Sequence, residues 1–356
     1  MPGPLRGPLP GVLLPLALLA RWPYGSIIAR RNAKYDSGRG VVTMDRPVIS
    51  VGNLSVGGTG KTPAVQLICR WLVEAGHRPA IAMRGYAARD GLSDEAAVHR
   101  EVLPDVPLAV RGDRIAGLIE LFAEDHGADV DVVVLDDGFQ HRRLARQLDV
   151  VLIDATRDPF ADRMLPAGWL REPVDALARA DAIVLTHAEA VQPSALADLR
   201  RRLLDAAPHA ICVSARHGWA ALDVLDATGD HAREDRWLRG KRYAIACAIG
   251  NPDAFIAEAT RRFGPPMHAE VLRDHDPYAP ATMRRLLARA ADADALLVTQ
   301  KDWAKLRRID PAAWPCPVAR PRLELSLDSG GEALQALALE AALWQDPLDD
   351  GPSDGR

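Results

Sequence analysis

The residues Ser55-Val-Gly-Gly-Thr-Gly-Lys-Thr62 directly follow an apolar, β-branched run, Pro47-Val-Ile-Ser-Val51. A buried strand, a glycine-rich turn and a following helix wrap a phosphate in backbone N–H groups and aim the positive end of a helix dipole at it. In such a loop the glycines let the chain approach the phosphates, Lys61 reaches the β/γ oxygens, and Thr62 offers its hydroxyl to Mg²⁺. The strict pattern G-x-x-x-x-G-K-[ST] has glycine where this chain has Ser55. Lysine occurs only at 34, 61, 241, 301 and 305 in a chain otherwise rich in arginine, so Lys61 is not one basic residue among many. Ser55, Val56, Gly57, Gly58, Thr59, Gly60, Lys61 and Thr62 form the expected nucleotide-binding set.

Further apolar, β-branched runs recur at helical intervals: 79–83, 130–135, 150–153, 182–186 and 210–213. Helical stretches such as 64–75 and 115–126 lie between them. That alternation predicts an α/β fold, a parallel-sheet P-loop domain with helices on both faces. A polar, turn-rich stretch around 217–240 interrupts it. The alternation resumes with a strand at 243–249, helices near 253–263 and 280–291, and a strand at 295–299, predicting a second, smaller α/β domain. The expected division is an N-terminal membrane-interface segment (1–35), the P-loop domain (36–215), a linker (216–240), the smaller domain (241–345) and a flexible tail (346–356).

A formal charge of −4 over 356 residues leaves no broad basic surface, so no nucleic-acid partner is expected. No obligate protein partner is predicted. Cys69, Cys212, Cys247 and Cys316 are scattered and form no C-x-x-C pair, which reads as idle thiols in a reducing compartment. Leu9–Ala20 is apolar but interrupted by Pro10 and Pro15, and too short to span a bilayer. A secretory signal is disfavoured, because a phosphate loop has no use outside the ATP pool. A segment lying in the membrane interface fits better, with Trp22 and Tyr24 at headgroup level and Arg21, Arg30, Arg31 and Lys34 toward anionic lipid. An ordinary core helix with a basic flank is the alternative.

Asp131-Val-Val-Val-Leu-Asp-Asp-Gly-Phe-Gln-His141 ends a hydrophobic strand on two carboxylates. In phosphate-loop proteins that position places a carboxylate beside the Mg²⁺ held by the loop threonine, so Asp136 and Asp137 join Thr62 as metal candidates. Gly138 permits a sharp turn after them. Arg84-Gly-Tyr86 follows the strand ending at Met83 and should share its rim, the arginine suiting an anion and the tyrosine a sugar or lipid face. Ser93-Asp-Glu95 reads as a helix cap, and Asp274-His-Asp-Pro-Tyr278 as a loop whose histidine sits between two acids. Thr299-Gln-Lys-Asp302 departs from the guanine-reading [NT]-K-x-D pattern, because Gln300 separates threonine from lysine.

Together these segments resemble the tetraacyldisaccharide 4′-kinases, the lipid A disaccharide kinases of Gram-negative bacteria. The resemblance runs from about Trp22 to Asp302. It is carried by Val51–Pro63 (where Ser55 matches), Arg84-Gly-Tyr86, Asp136–His141, Leu165-Pro-Ala-Gly-Trp-Leu-Arg-Glu-Pro173 and Ile249-Gly-Asn-Pro252. It implies ATP- and Mg²⁺-dependent phosphorylation of the 4′-hydroxyl of a tetraacylated glucosamine disaccharide 1-phosphate at the cytoplasmic face of the inner membrane. It also implies that Asp94 is the base for the sugar hydroxyl and His275 its partner, with Asp136 and Asp137 organising Mg²⁺ and the γ-phosphate. Arg84, Tyr86, Gln140 and Arg171 become candidates for substrate binding, with Glu172 beside them. Ser93, Met83 and Gln300 depart from the family pattern. Asp94 and His275 fall on opposite sides of the expected boundary, which predicts closure of the domains over ATP. The alternative class is a membrane-associated P-loop nucleotide switch or targeting ATPase; it has no need of the Leu165–Pro173 segment or of Asp94 and His275.

Overall fold

The computed structural model describes residues 13–57, 59–85, 94–249, 252–273, 276–307 and 309–345; the side chains of Asp94, His217 and Asp235 lie outside that description. In chain order the elements are α1 (Leu14–Asp36), β1 (Val48–Asn53), α2 (Lys61–Glu74), β2 (Pro79–Met83), α3 (Asp94–Val102), β3 (Leu108–Val110), α4 (Arg114–Phe122), α5 (Asp125–Ala128), β4 (Val132–Asp136), β5 (Leu148–Asp154) and β6 (Ala182–Thr186). There follow α6 (Pro193–Ala206), β7 (Ile211–Asp226), β8 (Gly229–Glu234), β9 (Tyr243–Cys247), α7 (Pro252–Phe263), β10 (His268–Val271), α8 (Pro280–Ala290), β11 (Ala295–Val298), α9 (Gln300–Leu306), β12 (Val318–Ser329) and α10 (Gly331–Ala342). They fall into two compact units: Met1–Leu92, Val102–His217 and Leu325–Arg356 form the first, and Ser93–Glu101 with Gly218–Glu324 the second.

In the first unit the strands run parallel in the order β7-β6-β5-β1-β4-β2-β3. Every residue of β1, β2, β4, β5 and β6 is buried, as expected of parallel strands covered on both faces. One face packs Ile49, Val134 and Val150 against Ile68 and Leu72 of α2 and Leu334 and Ala338 of α10. The other packs Val48, Ala80 and Val133 against Leu118 and Leu121 of α4, and Val151 and Ile183 against Leu199 and Leu203 of α6. Each fully buried aliphatic side chain of this kind stabilises the fold by about 1.5–3 kcal/mol. The Asp113 carboxylate accepts from the Ile115 and Ala116 N–H groups and so fixes where α4 begins. These elements form the α/β parallel-sheet fold that the alternation predicts.

In the second unit β10, β9, β11 and β12 pair in parallel, and β7 and β8 form an antiparallel hairpin with Asp226 opposite Gly229. Leu286, Leu296 and Trp303 fill one core, while Trp219, Leu222, Ile245 and Leu297 fill another, with Phe255 and Phe263 against it.

Three boundaries differ from those read in the sequence. The stretch 216–240 is not a linker but carries most of the β7–β8 hairpin. Its polarity comes from β8, a largely exposed edge strand whose charged residues suit an unpaired edge. Residues 325–345 group with the first unit, because the apolar face of α10 finds its partners on α2. Finally, α3 lies between β2 and β3 in the chain yet groups with the second unit, whose range also contains position 275. Asp94 and His275 are therefore not divided by the boundary, and the premise for closure fails. The tail 346–356 lies outside the described residues.

At the N-terminus, α1 runs 23 residues through Trp22 and Tyr24, over the same stretch as the expected interface segment. Leu16, Leu19, Trp22 and Ile27 are each more than 60% exposed along it. Among the described residues no helix is long and apolar enough to cross a membrane.

Candidate active site

The phosphate loop leaves β1 between the carboxyl ends of β4 and β5, since Val51 pairs with Asp136 and Asn53 with Leu152. Gly60 precedes α2 with φ at +80°, a left-handed conformation that glycine adopts without steric penalty. Among the described residues no side chain caps α2 there, so the N–H groups of its first turn can face an anion. The 165–173 segment braces the loop: Ser55 bridges to Leu170, Val56 N donates to the Trp169 carbonyl at 2.8 Å, and Arg171 N donates to the Leu54 carbonyl at 2.9 Å. Gly58 lies outside the described residues.

Asp137 occupies the centre of the site. Its φ of +57° is left-handed, uncommon for a non-glycine residue though accessible to Asp and Asn, and it turns the chain sharply at the end of β4. Gly138 must follow, because a Cβ there would stand 2.6 Å from Ser50 Oγ and 2.8 Å from Leu135 Cβ. Arg171 Nη1 donates to both Asp137 oxygens, at 3.0 and 2.8 Å, and Lys61 Nζ lies 3.5 Å from Oδ1. Arg114 Nη2 donates to the carbonyls of Asp136 and Asp137 at 3.1 and 3.2 Å. Gln140 completes the frame, donating to the Asn53 carbonyl at 2.9 Å and accepting from Arg171 at 3.3 Å.

Burial alone would raise the Asp137 carboxyl, but Lys61 and Arg171, with Arg114 behind them, hold it below the usual carboxylate range. It stays ionised at neutral pH. Burial and the charges of Arg114 and Arg146 push the neighbouring His141 down to about 4, so its ring is neutral there. Burial, then the adjacent Asp136 carboxylate, pushes the Cys69 thiol far up and leaves it unreactive.

Arg84, Gln140 and Arg171 line one cavity of about 280 Å³, together with Arg31, Gly112, Arg114, Asp137 and His141. Its lining is strongly cationic, with one carboxylate against four guanidinium groups, which suits an anionic ligand. Three of the four expected substrate residues thus converge; Tyr86 lies outside the described residues. Sequence reading missed Arg114 and placed Arg31 among the lipid-facing basic residues, whereas Arg31 lines this cavity and pairs with Glu172. Arg114 follows the short strand β3 as Arg84 follows β2, a rim position that marks it once β3 is known. Arg31 belongs to α1, and its neighbours hold it here: Glu172, fully buried, accepts from Asn32 Nδ2 and Arg179 Nη2 at 2.9 Å each and lies 3.5 Å from Arg31. The Tyr24 hydroxyl donates to the Arg171 carbonyl at 3.0 Å.

The oxygen donors here are few: the Thr62 hydroxyl at the start of α2 and the carboxylates of Asp136 and Asp137. Among the described residues no cluster of three or more His, Cys, Asp or Glu could hold a metal. Such a set fits Mg²⁺, which takes one or two protein carboxylates and completes its shell with phosphate and water. The Thr59 hydroxyl is buried in the loop and has no hydrogen-bond partner among the described residues. Asp94 opens α3 in the second unit, and His275 lies outside the described residues.

A phosphate loop on a parallel sheet, an ionised aspartate beside its lysine and a cationic cavity at its rim define a P-loop phosphotransferase. The tetraacyldisaccharide-1-P 4′-kinase family profile matches residues 11–338. The chain belongs to that family. Tetraacyldisaccharide 4′-kinase of Anaeromyxobacter sp. strain K is 38% identical over 97% of this chain and 94% of its own length. That of Geobacter metallireducens is 37% identical over 82% and 89%. The crystal structure of LpxK from Aquifex aeolicus in complex with ATP superposes with a TM-score of 0.71 at 26% identity, covering 93% of this chain and 98% of that one.

Proposed function

We propose that this protein transfers the γ-phosphoryl group of ATP to the 4′-hydroxyl of a tetraacylated glucosamine disaccharide 1-phosphate. The observation that carries this reading is Asp137, held ionised between Lys61 of the phosphate loop and Arg171 of the cationic cavity. One carboxylate thereby ties the nucleotide-binding lysine to the residues suited to an anionic headgroup. The loop N–H groups and Lys61 cradle the triphosphate, while Arg171, Arg114 and Arg84 neutralise and orient anionic oxygens. Positioning and charge neutralisation of this kind account for most of the acceleration in phosphoryl transfer. Thr62, Asp136 and Asp137 would hold Mg²⁺, which supplies further neutralisation of phosphate charge when bound. Asp94 takes the hydroxyl proton as the oxygen attacks, with His275 as its partner.

The acceptor is a lipid, so the enzyme must work at a bilayer, and we place it at the cytoplasmic face of the inner membrane. The exposed Leu16, Leu19, Trp22 and Ile27 of α1 supply the apolar contact, and Arg30 and Lys34 the attraction to anionic lipid. Transfer of label from γ-labelled ATP to purified disaccharide 1-phosphate in mixed micelles tests the reading. Wild type should give labelled lipid, and Lys61→Ala and Asp94→Ala should lose most of it. ATP turnover without labelled lipid would favour a nucleotide switch instead.

A further inference from the structure

Strand β1 carries the phosphate loop between β4 on one side and β5 on the other. The cationic cavity lies on the β4 side, where Arg84, Arg114 and Asp137 follow β2, β3 and β4. The β5 side has a cation of its own, Arg157, shortly past the end of that strand. Asp154 ends β5 and folds the chain back at once. Its Oδ1 accepts from Thr156 N at 3.0 Å and from Thr156 Oγ1 at 2.6 Å, and its carbonyl accepts from Arg157 N at 2.9 Å. That turn lays the Arg157 guanidinium against the loop, with Nη1 3.5 Å from where a Cβ on Gly57 would stand.

The contacts of Arg157 aim the guanidinium without locking it. Its Nε lies 4.0 Å from Asp154 Oδ2, beyond hydrogen-bond reach, while Thr156 holds the other oxygen of that carboxylate. Its guanidinium carbon lies 5.7 Å from the ring centre of Trp169, whose carbonyl accepts from Val56 N of the loop at 2.8 Å. Trp169 therefore holds the arginine and the loop in one frame. The Arg157 side chain remains 35% exposed, so its N–H groups can turn to a ligand seated in the loop. A loose, partly exposed pair such as Arg157–Asp154 adds little to stability.

We propose that Arg157 is a further catalytic residue, contacting the γ-phosphoryl group of bound ATP from the β5 side. In the transfer the bond from the γ-phosphorus to the β–γ bridging oxygen breaks as the bond to the acceptor oxygen forms. The electron pair of the broken bond stays on ADP, and the proton of the acceptor hydroxyl leaves to a base. Negative charge meanwhile spreads over the γ-phosphoryl oxygens and the departing bridge oxygen. Lys61, beside Asp137, meets that charge from the β4 side. A guanidinium on the β5 side meets it from the other, with a planar fork suited to two phosphate oxygens. The proposal deepens the reading of this loop as the ATP site of a kinase and rests on it.

The test compares wild type, Arg157→Ala and Arg157→Lys in lipid labelling, read as kcat and KM for ATP. Calorimetric titration with Mg·ADP, alone and with fluoroaluminate standing in for the γ-phosphoryl group in transfer, accompanies it. Arg157→Ala should lower kcat by about 10³-fold, while KM for ATP and affinity for Mg·ADP change less than about threefold. It should also lose the gain in affinity that fluoroaluminate gives wild type. Arg157→Lys returns the charge but not the fork, and should lower kcat by about 10- to 10²-fold. Both variants should keep the wild-type Tm, because Thr156 still donates to Asp154. Wild-type kcat in Arg157→Ala, or a raised KM for ATP with kcat kept, would overturn the proposal. If Arg157→Ala melts low, Arg157→Gln keeps much of the stem beside Trp169 and is judged by the same kcat and affinities. A wild-type enzyme that binds ATP but labels no lipid would overturn the kinase reading, and the catalytic role of Arg157 with it.

Discussion

Arg171 holds Asp137 through a single nitrogen, Nη1, which donates to both carboxylate oxygens at 3.0 and 2.8 Å and also to Gln140 at 3.3 Å. Two side chains of the turn after β4 thus share one donor at the mouth of the phosphate loop, and Lys61 approaches the same carboxylate from the loop itself.

Asp137→Asn keeps the shape and the left-handed backbone, which asparagine tolerates, but removes the charge that orders Lys61 and Arg171. Its kcat should fall by about 10²-fold or more while its Tm changes little, whereas Asp137→Val should lose stability as well. Thermal melts beside lipid-transfer rates separate the two. An Asn variant that keeps wild-type kcat would remove Asp137 from the chemistry.

His141 predicts a pH dependence of stability. Its pKa is about 4 in the folded protein and near 6.5 when unfolded, so between those values the unfolded state binds more protons. Its contribution is full above about pH 6.5 and is lost as pH falls toward 4. Urea titrations across that window should show His141→Gln with a shallower decline than wild type; parallel declines would contradict it.

Glu172 gathers Arg31, Asn32 and Arg179 in a fully buried position. Glu172→Ala strands these donors and should destabilise the fold by about 3–5 kcal/mol. Glu172→Gln, which can still accept from Asn32, should cost less. Because Arg31 lines the cationic cavity, both variants should also raise KM for the lipid acceptor more than KM for ATP. Equal effects on the two KM values would argue against that link.

Trp22 is 69% exposed on α1, and Arg21 lies over its ring, 5.4 Å from the centre. Trp22→Ser combined with Leu19→Ser should weaken binding to anionic vesicles by about tenfold or more and leave Tm unchanged. Undiminished sedimentation with vesicles would exclude this face from membrane contact.

The first unit's framework is legible in the sequence because its strands are buried on both faces and read as continuous apolar runs, and because the loop at 55–62 fixes which strand feeds which helix. β8 and β10 are short and mostly exposed, so no run announces them. Of the site, the loop, Asp137, Gln140, Arg171 and Arg84 are visible as motif residues at strand ends. Arg31 and Arg114 show their place in the site only through the cavity they share with Arg84 and Arg171. Local pattern carries no record of such pairings.

The exchange of segments between the two units bears on how the protein is made. The α2 face that α10 covers cannot be shielded until the ribosome has passed residue 342, some 280 residues after α2 emerges. Until then the nascent phosphate-loop helix presents part of its greasy side to the cytosol, where non-local closure is slow and aggregation competes. Chains truncated before α10 should therefore become chaperone clients or inclusion bodies, even with every residue of the nucleotide site in place.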